Sequence, residues 1–93
     1  MPERERLHRA YLRALEQLVL LSEEQRAYDS AIRFARRLLR VDPMHEASYR
    51  RLMRLHLAKE DRPGALRVYH TCANILRREL GVDPGVATQA LHQ

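Results

Sequence analysis

Cysteine is almost absent from this chain, Cys72 standing alone. One thiol excludes an internal disulfide framework and any multi-cysteine zinc site. Tryptophan is missing, Phe34 is the one phenylalanine, and glycine occurs 3 times. β-Sheet proteins draw on turn glycines and on β-branched and aromatic runs, so this is poor sheet material. Long apolar runs are lacking too. The longest, Leu18 to Leu21, falls far below the roughly 20 residues of a membrane span, which excludes a membrane partnership through a spanning helix. No apolar segment follows the charged start, so no signal peptide is legible and a cytoplasmic location is expected. Lysine is nearly missing as well: of 17 basic residues only Lys59 is not arginine.

What is present is helical material. The 93 residues suffice for one small domain, and 45% hydrophobic with 31% charged residues is a globular composition. Apolar residues recur at three- and four-residue steps in four blocks, the period of an amphipathic helix. In residues 3–22 the stripe is Leu7, Tyr11, Ala14, Leu15, Leu18 and Leu21. In residues 26–40 it is Tyr28, Ala31, Ile32, Ala35, Leu38 and Leu39, with Arg33, Arg36, Arg37 and Arg40 opposite. Residues 44–59 carry Tyr49, Leu52, Met53 and His56; residues 63–80 carry Ala65, Leu66, Tyr69, Cys72, Ala73, Leu76 and Leu80.

Proline and glycine fall between the blocks. Asp42-Pro43 and Asp61-Arg62-Pro63-Gly64 have the form of an N-cap followed by proline in the first helical turn. Gly81 suits a left-handed cap on the fourth helix, with Val82 packing back on it. Asp83-Pro84 then opens a fifth, short helix from Gly85 to about Leu91. Ser22 and Gln25 have capping-box spacing, yet the Tyr28–Leu39 pattern needs a helix only from about Ala27. The first break is placed at residues 22–26.

An internal repeat organises these helices. Setting Ala31 on Ala65 superposes AIRFARRLLR on ALRVYHTCAN with a period of 34, and brings Leu15, Leu18 and Val19 onto Tyr49, Leu52 and Met53. That is the length of a tetratricopeptide (TPR) helix–turn–helix unit. Small residues at Ala31 and Ala65 allow two antiparallel helices to approach closely. The second Val-Asp-Pro lies 41 rather than 34 residues after the first, which predicts a fourth helix about two turns longer than its counterpart. The expectation is an all-α, TPR-like chain of two helix pairs, its open end covered by the extra turns and the fifth helix.

In order and spacing, Ala31, Asp42-Pro43 with Glu46, Tyr49-Arg50, Leu52-Met53, Ala65-Leu66, Tyr69 and Glu79-Leu80-Gly81-Val82-Asp83-Pro84 resemble the bacterial transcriptional activator domain. This is the TPR-like domain of antibiotic-regulatory (SARP-type) regulators, and RLHRAYLRALEQLVLL resembles its first helix. The sequence departs from the pattern at SEEQR, where TPR-like units usually place a glycine. The resemblance implies a non-enzymatic regulatory module without cofactor. Its partners would be other domains of the same regulator, another protomer in a homodimer, or the transcription machinery. DNA would be reached only through a winged-helix domain that these 93 residues, read as a fragment of a longer regulator, do not include.

Catalytic motifs, phosphate loops and histidine pairs at ligand spacing are not found, so no catalytic or metal-binding residue is assigned. His56 reads as a half-buried core residue and Cys72 as a buried, inert thiol. A net charge of +5 admits a different reading, a basic helical domain that contacts nucleic acid directly. Residues 1–46 hold nine basic and eight acidic side chains, residues 47–93 eight and four, so the excess lies in the second repeat, where Arg50, Arg51 and Arg54 cluster. TPR geometry turns the first helix of each pair toward the groove. The expected surface is Arg13, Glu16 and Leu20 in one repeat and Arg50, Arg54 and Leu57 in the other, with Arg51 beside them. Guanidinium forks there would suit a carboxylate. A pocket between the repeats near His56, Tyr69 and Cys72 is not expected, because close packing leaves no room for about 300 Å³.

Overall fold

The computed structural model describes residues 2–92. Five helices follow one another: α1 Pro2–Glu24, α2 Tyr28–Val41, α3 Glu46–Ala58, α4 Arg62–Leu80 and α5 Val86–His92. There is no strand among the described residues. Each helix packs on the next, α1 on α2, α2 on α3 and α3 on α4, while α5 returns to lie against α3 and α4. This is the all-α, TPR-like architecture that the 34-residue period predicts.

The core is one cluster running through four helices. Leu15 and Val19 of α1 meet Ala31, Ile32, Ala35 and Leu38 of α2; Tyr49, Leu52, Met53 and Leu55 of α3 meet Ala65, Val68, Cys72 and Leu76 of α4. Ala31 and Ala65 are both buried, where small residues let antiparallel helices come close. Leu80, expected on the α4 stripe, is exposed.

The repeat extends to the helix ends. Arg26 and Glu60, 34 residues apart, are the two non-glycine residues with positive φ among the described residues, at 57° and 61°. At both, the next N–H reaches back five residues: Ala27 N to Ser22 O at 2.8 Å and Asp61 N to His56 O at 2.8 Å. These are Schellman closures with an L-residue in the left-handed position that glycine usually takes. Arg26 thus supplies the turn that the missing glycine would make. Ser22 is inside α1 rather than a cap, and α2 begins after Ala27 without a side-chain cap. Gly81, φ 66°, is also left-handed but closes α4 differently: its own N–H donates to Arg77 O at 3.0 Å and Val82 N reaches back six residues to Leu76 O at 3.4 Å. Val82 itself stays half exposed.

Two helix starts differ. Asp61 caps α4 as expected, its side chain accepting from Gly64 N at 3.0 Å with proline in the first turn. Asp42 does not cap α3. It is the C-cap residue of α2, Pro43 and Met44 form a turn, and α3 starts after His45. The Pro43 carbonyl is held instead by the Tyr49 hydroxyl, which donates to it at 2.6 Å. Here proline shapes the inter-repeat turn rather than the first helical turn.

The first stripe requires a larger correction. Leu7, Tyr11, Leu18 and Leu21 are exposed, and the buried face of α1 is Leu15, Val19 and Ser22 with Leu12 beside them. Leu18 and Val19 lie about 100° apart on the helix, so the face meeting α2 is turned one residue from the expected one. Length explains the rest. α1 has 23 residues, about 34 Å, and α2 has 14, about 21 Å. The N-terminal turns of α1 therefore overhang their partner.

Candidate interaction surface and inter-repeat cleft

Glu46 is placed by the first turn of α3, beside the start of α5. Its carboxylate accepts from the backbone N–H of Gly85 at 2.7 Å and from the hydroxyl of Thr88 at 2.5 Å. Arg50, one helical turn on, lies 3.6 Å from the same carboxylate and donates to Thr88 Oγ1 at 3.1 Å. Thr88 is fully buried. A polar link buried in this way survives only because each member has a partner. Arg50 is thus built into the latch that holds α5 on α3.

The remaining expected surface residues divide among separate places. Arg51 donates to Glu23 at 3.3 Å, tying α3 to the end of α1. Arg54, exposed, joins Arg51 and Glu23 around a shallow hollow. Arg13 is exposed on α1, and Glu16 is exposed beside a small hollow near Leu38 and Ser48. Leu57 is partly covered from the α5 side, in a narrow crevice with Met53, Leu91 and His92. The structure therefore brings Arg51 and Arg54 together and keeps Arg13, Glu16 and Leu57 apart. Sequence reasoning missed the anchoring role of Glu46. An acidic residue in a first helical turn already has a local explanation in the helix dipole, so nothing in the sequence points 39 residues onward to Gly85.

On the side where α2, α3 and α4 meet, an open cleft of about 390 Å³ lies between the repeats. Its apolar walls include Leu39, Leu52, Val68 and Ile75. Arg36, Arg40 and Arg67 also line it and are exposed. No carboxylate lines it, and these three arginines have no ion-pair partner among the described residues. The close packing expected near His56 is therefore not complete. It holds at Cys72, which is fully buried, and fails at His56, whose ring is part of the cleft wall. His56 Nδ1 lies 2.9 Å from Asp61 Oδ2, while its Nε2 is buried without a hydrogen-bond partner. Gly64 makes this arrangement possible: a Cβ there would fall 2.5 Å from His56 Nδ1 and 2.2 Å from Asp61 Oδ2.

Two titrating groups are displaced by this packing. The N–H of Gly64, and then the His56 ring, hold the Asp61 carboxyl below its ordinary range. Burial pushes the Cys72 thiol up to about 11, Glu46 adding to the effect. A thiol so placed is neutral and unreactive at neutral pH.

No helix among the described residues is long and apolar enough to cross a membrane, and no cluster of three or more potential metal-ligating side chains occurs among them. Neither the curated proteins nor the solved structures contain a match to the chain. The family model of the bacterial transcriptional activator domain matches residues 1–93. The chain belongs to the bacterial transcriptional activator domain family and has its regulatory character.

Proposed function

We propose that this domain acts without catalysis, as an interaction module. It docks other domains of its regulator, a second protomer or the transcription machinery, while a winged-helix domain outside these 93 residues reads DNA in the cytoplasm. The observation that carries this reading is the uncovered stripe of α1. Leu7 is 66% and Tyr11 50% exposed, and Leu18 and Leu21 continue the same face at three- and four-residue steps. Contiguous apolar exposure of this kind marks contact surfaces on soluble domains. Arg13 and Glu16 lie on the same helix and supply polar contacts beside it; Arg54 and Leu57 offer a second, smaller surface on α3.

The same geometry weighs against direct nucleic-acid contact. That reading would use the arginines of the second and third helices; on α3, Arg50 is engaged by Glu46 and Thr88 and Arg51 by Glu23, so the α3 half is not an uncommitted cationic patch, and only the α2 arginines are left for it. The test is a titration of the 93-residue chain with duplex and single-stranded oligonucleotides at about 50 and 200 mM salt. Weak binding that vanishes at the higher salt is expected. A salt-resistant footprint, abolished by Arg50→Ala, Arg51→Ala and Arg54→Ala together, would overturn the reading. Sedimentation at two concentrations then separates a second protomer from other partners: Leu7→Ser with Leu18→Ser abolishes concentration-dependent association if α1 is the contact.

A further inference from the structure

We infer that the cleft between α2, α3 and α4 is a binding site for a small amphipathic carboxylate, a molecule with an apolar body and one anionic head. Three observations converge on this chemistry. The volume, about 390 Å³, lies within the range of small-molecule sites. The walls are aliphatic, so they take an apolar body. The charged lining is of one sign: Arg36 and Arg40 one turn apart on α2, Arg67 across from them on α4, and no acidic residue. Arg67 feels the Asp61 carboxylate behind the cleft wall, while Arg36 and Arg40 have no ion-pair partner among the described residues; a carboxylate between them and Arg67 would accept paired N–H donors.

The floor adds a fourth observation. Buried polar atoms are nearly always matched, yet Nε2 of His56, in a ring that lines the cleft, is not. The other ring nitrogen, Nδ1, is already engaged by the Asp61 carboxylate at 2.9 Å. The site is distinct from the α1 stripe and from the latch on α5. It uses the arginine face of α2 that the interaction reading leaves without a role.

The experiment is calorimetric titration of the 93-residue chain with biphenyl-4-carboxylate and with its uncharged isostere biphenyl-4-carboxamide, alongside amide and side-chain NMR shifts. Because neither DNA nor a protein partner is present, failure here leaves the interaction reading standing, and the reverse also holds. The carboxylate is expected to bind at least tenfold more tightly than the carboxamide, with shifts at Leu39, Val68, Thr71 and Ile75 and none at Leu7 or Tyr11. Arg36→Gln, Arg40→Gln and Arg67→Gln together should weaken binding tenfold or more. Removing as many charges elsewhere, by Arg4→Gln, Arg9→Gln and Arg78→Gln, should change it less than twofold. Thr71→Trp, which keeps every charge and fills the cleft from an exposed position, should abolish it. Equal affinity for the two probes, shifts centred outside the cleft, or no binding up to the solubility limit would overturn the inference. So would displacement of the carboxylate by an acidic peptide that binds the same residues more tightly, which would assign the cleft to a protein partner.

Discussion

Leu18 and Leu52 occupy the same position in the two repeats, 34 residues apart, yet Leu18 is 39% exposed and Leu52 3%. The difference is not in the residues. The second repeat is flanked on both sides, by α2 and by α5, while the first has a neighbour on one side only. In stacked helical repeats each unit is buried by the units beside it, so identical leucines acquire opposite environments from their places in the array. The contrast extends to polar positions. Asp61 caps α4, while its counterpart Ala27 leaves α2 uncapped.

The largest expected effect comes from the leucine pair. Leu52→Ala should cost about 2–5 kcal/mol, as a buried truncation leaving a cavity, and Leu18→Ala less than about 1 kcal/mol. Urea denaturation of the two variants measures both. Equal costs would mean that the exposed face of α1 that carries Leu18 is covered in solution, and would sharpen the case for a second protomer on it.

Next is the latch that closes the second repeat. Glu46→Ala removes the acceptor of Gly85 and Thr88 and leaves Arg50 unpaired, at an expected cost of about 1–3 kcal/mol. The readout specific to this role is hydrogen exchange. Amides of α5 should lose protection while those of α2 keep theirs, and uniform loss would show that α5 is not a separable cover.

The caps give a smaller, two-signed comparison. Asp61→Ala should lower the melting temperature, and Ala27→Asp should raise it by a smaller amount. The Asp61 effect also depends on pH. Its folded carboxyl titrates below the ordinary value, so its contribution is present above an unfolded pKa of about 3.9 and is lost as pH falls through the lower folded value. Thermal melts from pH 5 to 2 should therefore show the gap between wild type and Asp61→Ala closing.

The smallest effect at pH 7 belongs to Cys72, which stands where the first repeat has Leu38. Its folded pKa of about 11 exceeds the unfolded value of about 8.5. Stability from this group is whole below 8.5 and declines as pH rises toward 11, because only the unfolded chain ionises in that window. Burial also raises the Tyr49 hydroxyl, adding a loss of the same sign at the alkaline end. Cys72→Ala should flatten the early part of this decline, and a thiol reagent should react with the wild type only at the rate of unfolding.

Much of the fold was legible in the amino-acid sequence. The stripes of Tyr28–Leu39, Tyr49–His56 and Ala65–Leu76 read correctly because α2, α3 and α4 are covered along their lengths by neighbours. The α1 stripe read wrongly because Leu7, Tyr11, Leu18 and Leu21 are as periodic as Leu15 and Val19, and periodicity does not say which of two adjacent faces finds a partner. Of the expected surface, Arg54 and Arg13 were placed in the open by pattern alone. Arg50 was not, since its partners on α5 lie far away in sequence.

The sequence by itself determined the number, order and approximate limits of the helices, their 34-residue repeat and the family. These rest on local propensity, capping and turn chemistry, which act over a few residues. Only the tertiary structure decided which face of α1 is buried, that Glu46 holds α5, and that Arg36, Arg40 and Arg67 border one cleft. Those outcomes depend on unequal helix lengths and on the path by which residues 81–92 return to α3, and such distances are set when the helices stack.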